Sequence, residues 1–220
     1  MTLTSVRPRR PAPMTTPTTA PTPRRSTALL VLVLGVLSAI GPLATDLYLP
    51  ALPQISADLG TTESRVKFTL TTVMIGMALG QLVIGPLCDR WGRRVPMLVG
   101  IGVFTTSTLA IALATSVEAF TVLRFVQGLS AAAGLVISRA VVRDVFSGDA
   151  AATFFSRLVL LSGLAPMLSP VLGGQLLLLG PWPILFVVLG TTGVLSFVLV
   201  LYVLPESLAP ERRERVRPTQ

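Results

Sequence analysis

The sequence predicts an all-α polytopic membrane protein with six transmembrane helices, and three of its features lead there. The chain of 220 residues is 51% hydrophobic and only 13% charged, and its mean hydropathy of +0.75 is too apolar for a soluble domain of this size. The apolar residues fall into six runs, each close to the ~20 residues that a helix needs to cross the hydrocarbon of a bilayer. The basic residues gather at alternate ends of those runs. In a soluble chain a net charge of +8 would suggest nucleic acid, but here it marks which side of the membrane each loop keeps.

Residues 1–26 are rich in Pro, Thr and Arg and nearly free of large apolar side chains, so they cannot bury enough surface to fold. A disordered cytoplasmic tail is expected there. The apolar run that follows is longer than a signal-peptide core and lacks a small-x-small cleavage site, which argues against a secretory leader; Met14 is an alternative start. A six-helix bundle is expected over 27–204, with runs at about 28–48, 68–88, 96–115, 119–140, 156–178 and 184–204, followed by a basic cytoplasmic tail at 205–220. Of the Lys and Arg residues in the tails, in the loops and at the run ends, five lie in the first tail, three in 89–95, three in 139–157 and four in the last tail, against only Arg65 and Lys67 on the other side. Short positive loops are retained in the cytoplasm, so a multi-pass protein of the cell (inner or plasma) membrane with both termini inside is expected. The short connections at 116–118 and 179–183 make runs 3 and 4, and runs 5 and 6, antiparallel neighbours. Ser116 suits the N-cap of run 4, and Glu118 suits its positive end.

Several residues inside the runs are unusual for lipid-facing helices. Gly76 and Gly80 form a GxxxG face on run 2, which serves close helix packing. In run 5, Pro166 and Pro170 precede Gly173 and Gly174, so this helix can bend where its backbone ladder is broken. Charges within spans are costly and usually functional. Asp46 stands near the outer end of run 1 in TDLYLPALPQI, where Pro50 and Pro53 stop the helix; it is either a wetted interfacial residue or a functional carboxylate. Arg124, with Gln127 and Gly128, forms an i, i+3, i+4 face turned to the bundle interior, the alternative being a snorkelling side chain. The single cysteine, Cys88, excludes an intramolecular disulfide and a Cys-based metal cluster, there is no histidine, and there is no phosphate-cradling glycine loop. No cofactor, metal or enzymatic activity is expected, and energy must come from an ion gradient.

The densest polar stretch between two runs is GPLCDRWGRRVPML, Gly85 to Leu98. Its spacing of Gly85, Leu87, Asp89, Arg90, Gly92, Arg93, Arg94 and Leu98 resembles the signature loop between the second and third helices of the major facilitator superfamily. RFVQGLSAAAG, Arg124 to Gly134, resembles the fourth-helix motif of that family, and SPVLGG, Ser169 to Gly174, its fifth-helix antiporter motif, although Ala165 and Ser169 stand where the family prefers glycine. TDLYLPALPQI and ISRAVVRDVFSG together resemble the Bcr/CflA subgroup of drug:proton antiporters.

The resemblance implies a six-helix unit forming one half of a major-facilitator fold. Complete members have about twelve spans in two halves with substrate between them, and PESLAPERRERVRPTQ resembles the start of the loop that joins those halves. The implied function is transmembrane transport, a proton-coupled efflux of small, amphipathic drug-like compounds by a half-transporter conferring drug resistance. In that scheme Asp46, Arg124 and Gln127 couple protons, with Arg124 tuning the proton affinity of Asp46. Gly85, Asp89, Arg90, Gly92, Arg93 and Arg94 make up the cytoplasmic loop motif, within which Asp89 and Arg93 form a latch with Arg143 and Asp144 as candidate partners, and the Pro166, Pro170, Gly173 and Gly174 segment controls sealing. The implied partners are the lipid bilayer, protons, a small-molecule substrate and a second six-helix half or second copy, with no nucleic acid. The alternative is a non-transporting, truncated or regulatory six-helix protein that pairs with another transporter.

Overall fold

The computed structural model describes residues 24–204, 206 and 207. Most of the expected first tail (1–23) and of the last (205 and 208–220), Met14 included, lies outside the described residues. All regular structure among the described residues is helical: α1 (Arg24–Asp46), a 3-10 turn (Leu49–Ala51), α2 (Leu52–Asp58), α3 (Glu63–Trp91), α4 (Arg94–Ile111), α5 (Val117–Val145), α6 (Gly148–Leu177) and α7 (Pro183–Val203). Six segments are long and apolar enough to cross a membrane, the first of them running from Leu29 through α1 and the turn to Asp58. The chain is a six-span membrane protein.

α3 and α5 overrun their apolar runs at both ends and α6 begins eight residues before its own, whereas α4 stops at Ile111, four residues short of its run. α3 has 29 residues and α6 has 30, which at 1.5 Å per residue is about 43–45 Å, longer than the ~30 Å hydrocarbon core. Their charged ends therefore stand in the headgroup layers, where hydropathy no longer reports them. The first span differs in another way. α1 ends at Asp46, before either proline, and Pro50 and Pro53 open the 3-10 turn and α2 instead of stopping the helix. Proline fits there because its missing N–H falls where a helix start has no acceptor. Ser116 caps α5 as expected, its hydroxyl accepting the Ala119 N–H at 3.2 Å.

α5 lies at the centre of the bundle. Lipid offers no hydrophobic drive between helices, so their association rests on close backbone approach. Gly76 and Gly80 of α3 sit against the backbone of Phe125 and Leu129 in α5, and Gly128 of α5 sits against the Val73 carbonyl in return. Gly134 meets Leu37 of α1, while Gly100 of α4 meets Ala133. α7 packs on α4, and α6 packs on α1 with Gly173 against the Leu47 carbonyl. α3 and α6 leave long apolar faces open, including Met74, Leu82, Met167 and Val171.

Candidate functional site

Two polar clusters occupy opposite parts of the bundle. The first is at the end where α3 meets α4. Gly92, at φ +89°, ends α3 in a conformation that side chains disfavour, and this turns Arg93 and Arg94 into the start of α4. Arg93 is 7% exposed. Its Nη1 donates to Asp89 at 2.7 Å and its Nε donates to Asp144 of α5 at 2.9 Å. Burial alone would weaken the hold of Arg93 on its proton, but hydrogen bonds and charge from Asp144 and Asp89 outweigh that and raise its pKa above the ordinary arginine value. The guanidinium is a permanent cation clamped between two helices.

The same turn is held from the far end of the chain. The Glu206 carboxylate accepts the backbone N–H of Arg93 at 2.8 Å and of Arg94 at 3.4 Å, capping an α4 N-terminus whose own N-cap side chain makes no capping bond. Arg94 Nη2 donates to the Leu201 carbonyl at 2.8 Å in the last turn of α7, where helix carbonyls lack intrahelical partners. Of the two candidate partners on α5, Asp144 joins the cluster and Arg143 does not. Neighbouring helix positions point about 100° apart, and Arg143 is exposed with no ion pair among the described residues. Arg90 is exposed as well, and Gly85 has open space around it. Glu206 escaped the sequence reading because it lies in a tail dominated by arginines.

The second cluster surrounds Arg124, two turns into α5 and fully buried. Arg124 Nη1 donates to the Ala44 carbonyl of α1 and to Gln127 Oε1, both at 2.7 Å, and the Gln127 amide donates to Thr108 Oγ1 of α4 at 2.9 Å. Nε and Nη2 of Arg124 have no hydrogen-bond partner among the described residues. A buried cation costs free energy unless it is compensated, and here an aromatic cage shares that task. The guanidinium carbon lies 3.9 Å from the Tyr48 ring centroid and 5.8 Å from that of Phe186, within cation–π range. Phe120 and Trp182 pack edge-on around Phe186 at 5.7 and 5.9 Å, and the Tyr48 hydroxyl is 2.9 Å from Thr69 Oγ1 on α3.

Asp46 is half-buried two residues beyond Ala44. It follows the residue whose carbonyl Arg124 holds by two positions, and no ion pair within 4 Å joins Asp46 to Arg124 among the described residues. Sequence reading missed the cage because its four rings come from three separate stretches of chain, at Tyr48, at Phe120 and at the start of α7. Pro166 and Pro170 lie inside α6 without ending it, and Gly173 presses on the Leu47 carbonyl, one residue from Asp46. Gly174 faces open space.

A model of the Major Facilitator Superfamily matches residues 28–219. An uncharacterised MFS-type transporter of Bacillus subtilis is 43% identical over 84% of this chain and 46% of its own. A bicyclomycin resistance protein homologue of Haemophilus influenzae is 38% identical over 88% and 49%, and a chloramphenicol resistance protein of Pseudomonas aeruginosa 37% over 76% and 40%. Among solved structures, the human organic anion transporter MFSD10 aligns with a TM-score of 0.68 at 25% identity, over 88% of this chain and 50% of that one. A proton:xylose symporter aligns with a TM-score of 0.74 at 16% identity, over 84% and 46%, a likeness of fold. The chain spans about half the length of the curated relatives it matches. Its helices, its charged turn and these matches agree: the chain belongs to the Major Facilitator Superfamily of membrane transporters.

Proposed function

We propose that this chain is one six-helix unit of a proton-driven exporter of small amphipathic, drug-like compounds in the cell membrane, with the Arg93 end facing the cytoplasm. The observation that carries the reading is a fully buried arginine, held by the Ala44 carbonyl, Gln127 and the Tyr48 ring, near a half-buried carboxylate, because ionisable groups placed at membrane depth mark ion pathways. The names of the bicyclomycin and chloramphenicol resistance relatives support the substrate class, and the arginine bias of the loops supports the orientation.

In this scheme Asp46 takes a proton from the outer side. Protonation removes the charge facing Arg124 and leaves the guanidinium to Ala44, Gln127 and the Tyr48 ring. Gly173 packs on the turn that follows Asp46, so the loss of charge is felt at the contact between α1 and the proline-bent α6. The Asp89–Arg93–Asp144 cluster holds the opposite end closed until the helices rearrange. Alternating access needs two six-helix bodies around the substrate, so the unit works with a second copy or a second six-helix segment. The half-length match to the relatives also favours a second reading, a six-helix subunit that modulates another transporter.

Substrate flux against external pH, in vesicles holding the chain with its second half, tests both. Asp46→Asn is expected to abolish uphill movement on a proton gradient, and Asp46→Glu to retain part of it. Uphill flux by Asp46→Asn would overturn the proton role, and no flux in any pairing would favour the modulating subunit.

A further inference from the structure

Both ends of α7 are gripped by distant parts of the chain. At its start the Trp182 backbone N–H donates to Gln54 Oε1 at 3.0 Å and the indole Nε1 donates to Asp58 Oδ2 at 2.8 Å, so α2 holds the residue from which α7 begins. Trp182 is buried, and its ring packs edge-on against Phe120 and Phe186, each at 5.9 Å, which belong to the cage around Arg124. α2 itself starts one 3-10 turn after Asp46. At the far end the Leu201 carbonyl accepts Arg94 Nη2, Glu206 accepts the N–H groups of Arg93 and Arg94, and the Ser207 hydroxyl donates to Asp144 Oδ2 at 3.4 Å. Between the grips α7 is 21 residues long, about 32 Å at the helical rise. It carries proline only at its first position, whereas α1, α3 and α6 each have proline inside, and interior proline is a main cause of bending. Gly190 and Gly193 bring it close against Leu109 and Thr105 of α4. An unbroken helix gripped at both ends passes a displacement on instead of absorbing it.

We propose that α7 is a strut between the two polar clusters: α2, through Gln54 and Asp58, fixes Trp182 and with it the end of α7 nearest Asp46, and release of that grip loosens the Arg93 turn at the other end. Trp182 is the positioning residue, because its backbone, its indole N–H and its ring face three different partners. The coupling runs within this chain and requires neither proton transfer nor a second half, so its failure and that of the proton-coupled reading are distinguishable.

The test is maleimide labelling of Cys88, the single cysteine, buried at the charged turn, in the full chain in detergent. Gln54→Ala with Asp58→Ala should speed labelling about fivefold, the equivalent of one net hydrogen bond, although both changes lie at the opposite end of α7. Gln54→Glu with Asp58→Asn keeps the two acceptor oxygens and should label like the wild type. Ser116→Ala removes the α5 cap at that same end without touching α7, and should leave labelling within about twofold of wild type. Adding Glu206→Ala to the double alanine variant should give less than the product of the separate effects, whereas distant, independent sites multiply. In a Trp91→Phe background Trp182 is the sole tryptophan, and its emission should shift to the red in the double alanine variant, showing that the grip has opened. Unchanged labelling in that variant, an equal rise in Ser116→Ala, the full product with Glu206→Ala, or unshifted emission would overturn the strut.

Discussion

Replacing Asp144 by Asn should loosen the charged turn far more than the same change at Asp89, although both carboxylates contact Arg93. Arg93 and Asp144 have side chains 8% and 19% exposed, while Asp89 is 51% exposed. A shielded charge-assisted hydrogen bond such as Arg93–Asp144 is worth about 2 kcal/mol, and an exposed pair such as Arg93–Asp89 is worth about 0.5 kcal/mol. Those values correspond to opening of the turn becoming about 30-fold more frequent in Asp144→Asn and about twofold more frequent in Asp89→Asn. The chain supplies its own reporter, since its single cysteine, Cys88, is buried beneath this turn. Maleimide labelling of Cys88 in detergent, normalised to the rate of each variant in denaturant, should follow those ratios. Equal labelling of the two variants, or faster labelling of Asp89→Asn, would show that Asp144 is not the main anchor.

Asp89→Asn should nevertheless impair drug tolerance more than Arg90→Ala in cells expressing equal amounts with the second half, because Asp89 holds Arg93 whereas Arg90 has no ion pair among the described residues. Gly80→Val should lower the thermal midpoint in detergent, since its added carbons meet the Leu129 carbonyl and Ala132 and overpacking of that kind costs ~1–3 kcal/mol; Gly85→Ala, with open space around it, should not. Glu206→Ala should speed amide hydrogen exchange at Arg93 and Arg94 about fivefold, the equivalent of a lost cap of ~1 kcal/mol, with Glu206→Gln intermediate.

The spans were legible because a bilayer demands a length and an apolarity that few other structures require, and the glycine faces because small residues at helical spacing have few other uses in lipid. The ends were not. Glu63 begins α3 five residues before its apolar run, since a helix standing in headgroups carries the same polar residues as a loop. Arg93 was legible as one of a set of charges. That Asp144 comes within its reach depends on how α5 is rotated, which no local pattern records. Glu206 illustrates the same limit over a longer distance: its partners lie 113 and 112 residues away, and only the closing of the bundle brings them together. The cage around Arg124 was hidden because aromatic residues in an apolar chain look like core until a cation is found among them.

The backbone contacts between α3 and α5 also bear on how such a chain can diversify. Where Gly76, Gly80 and Gly128 meet the opposing main chain, no side chain lies between the helices to absorb a change, so these positions leave selection almost nothing to vary. The outward faces of α3 and α6 carry no such restriction. Lineages can therefore alter what these faces touch, whether lipid, a partner or a new compound, while the frame that carries Arg124 and Arg93 stays the same.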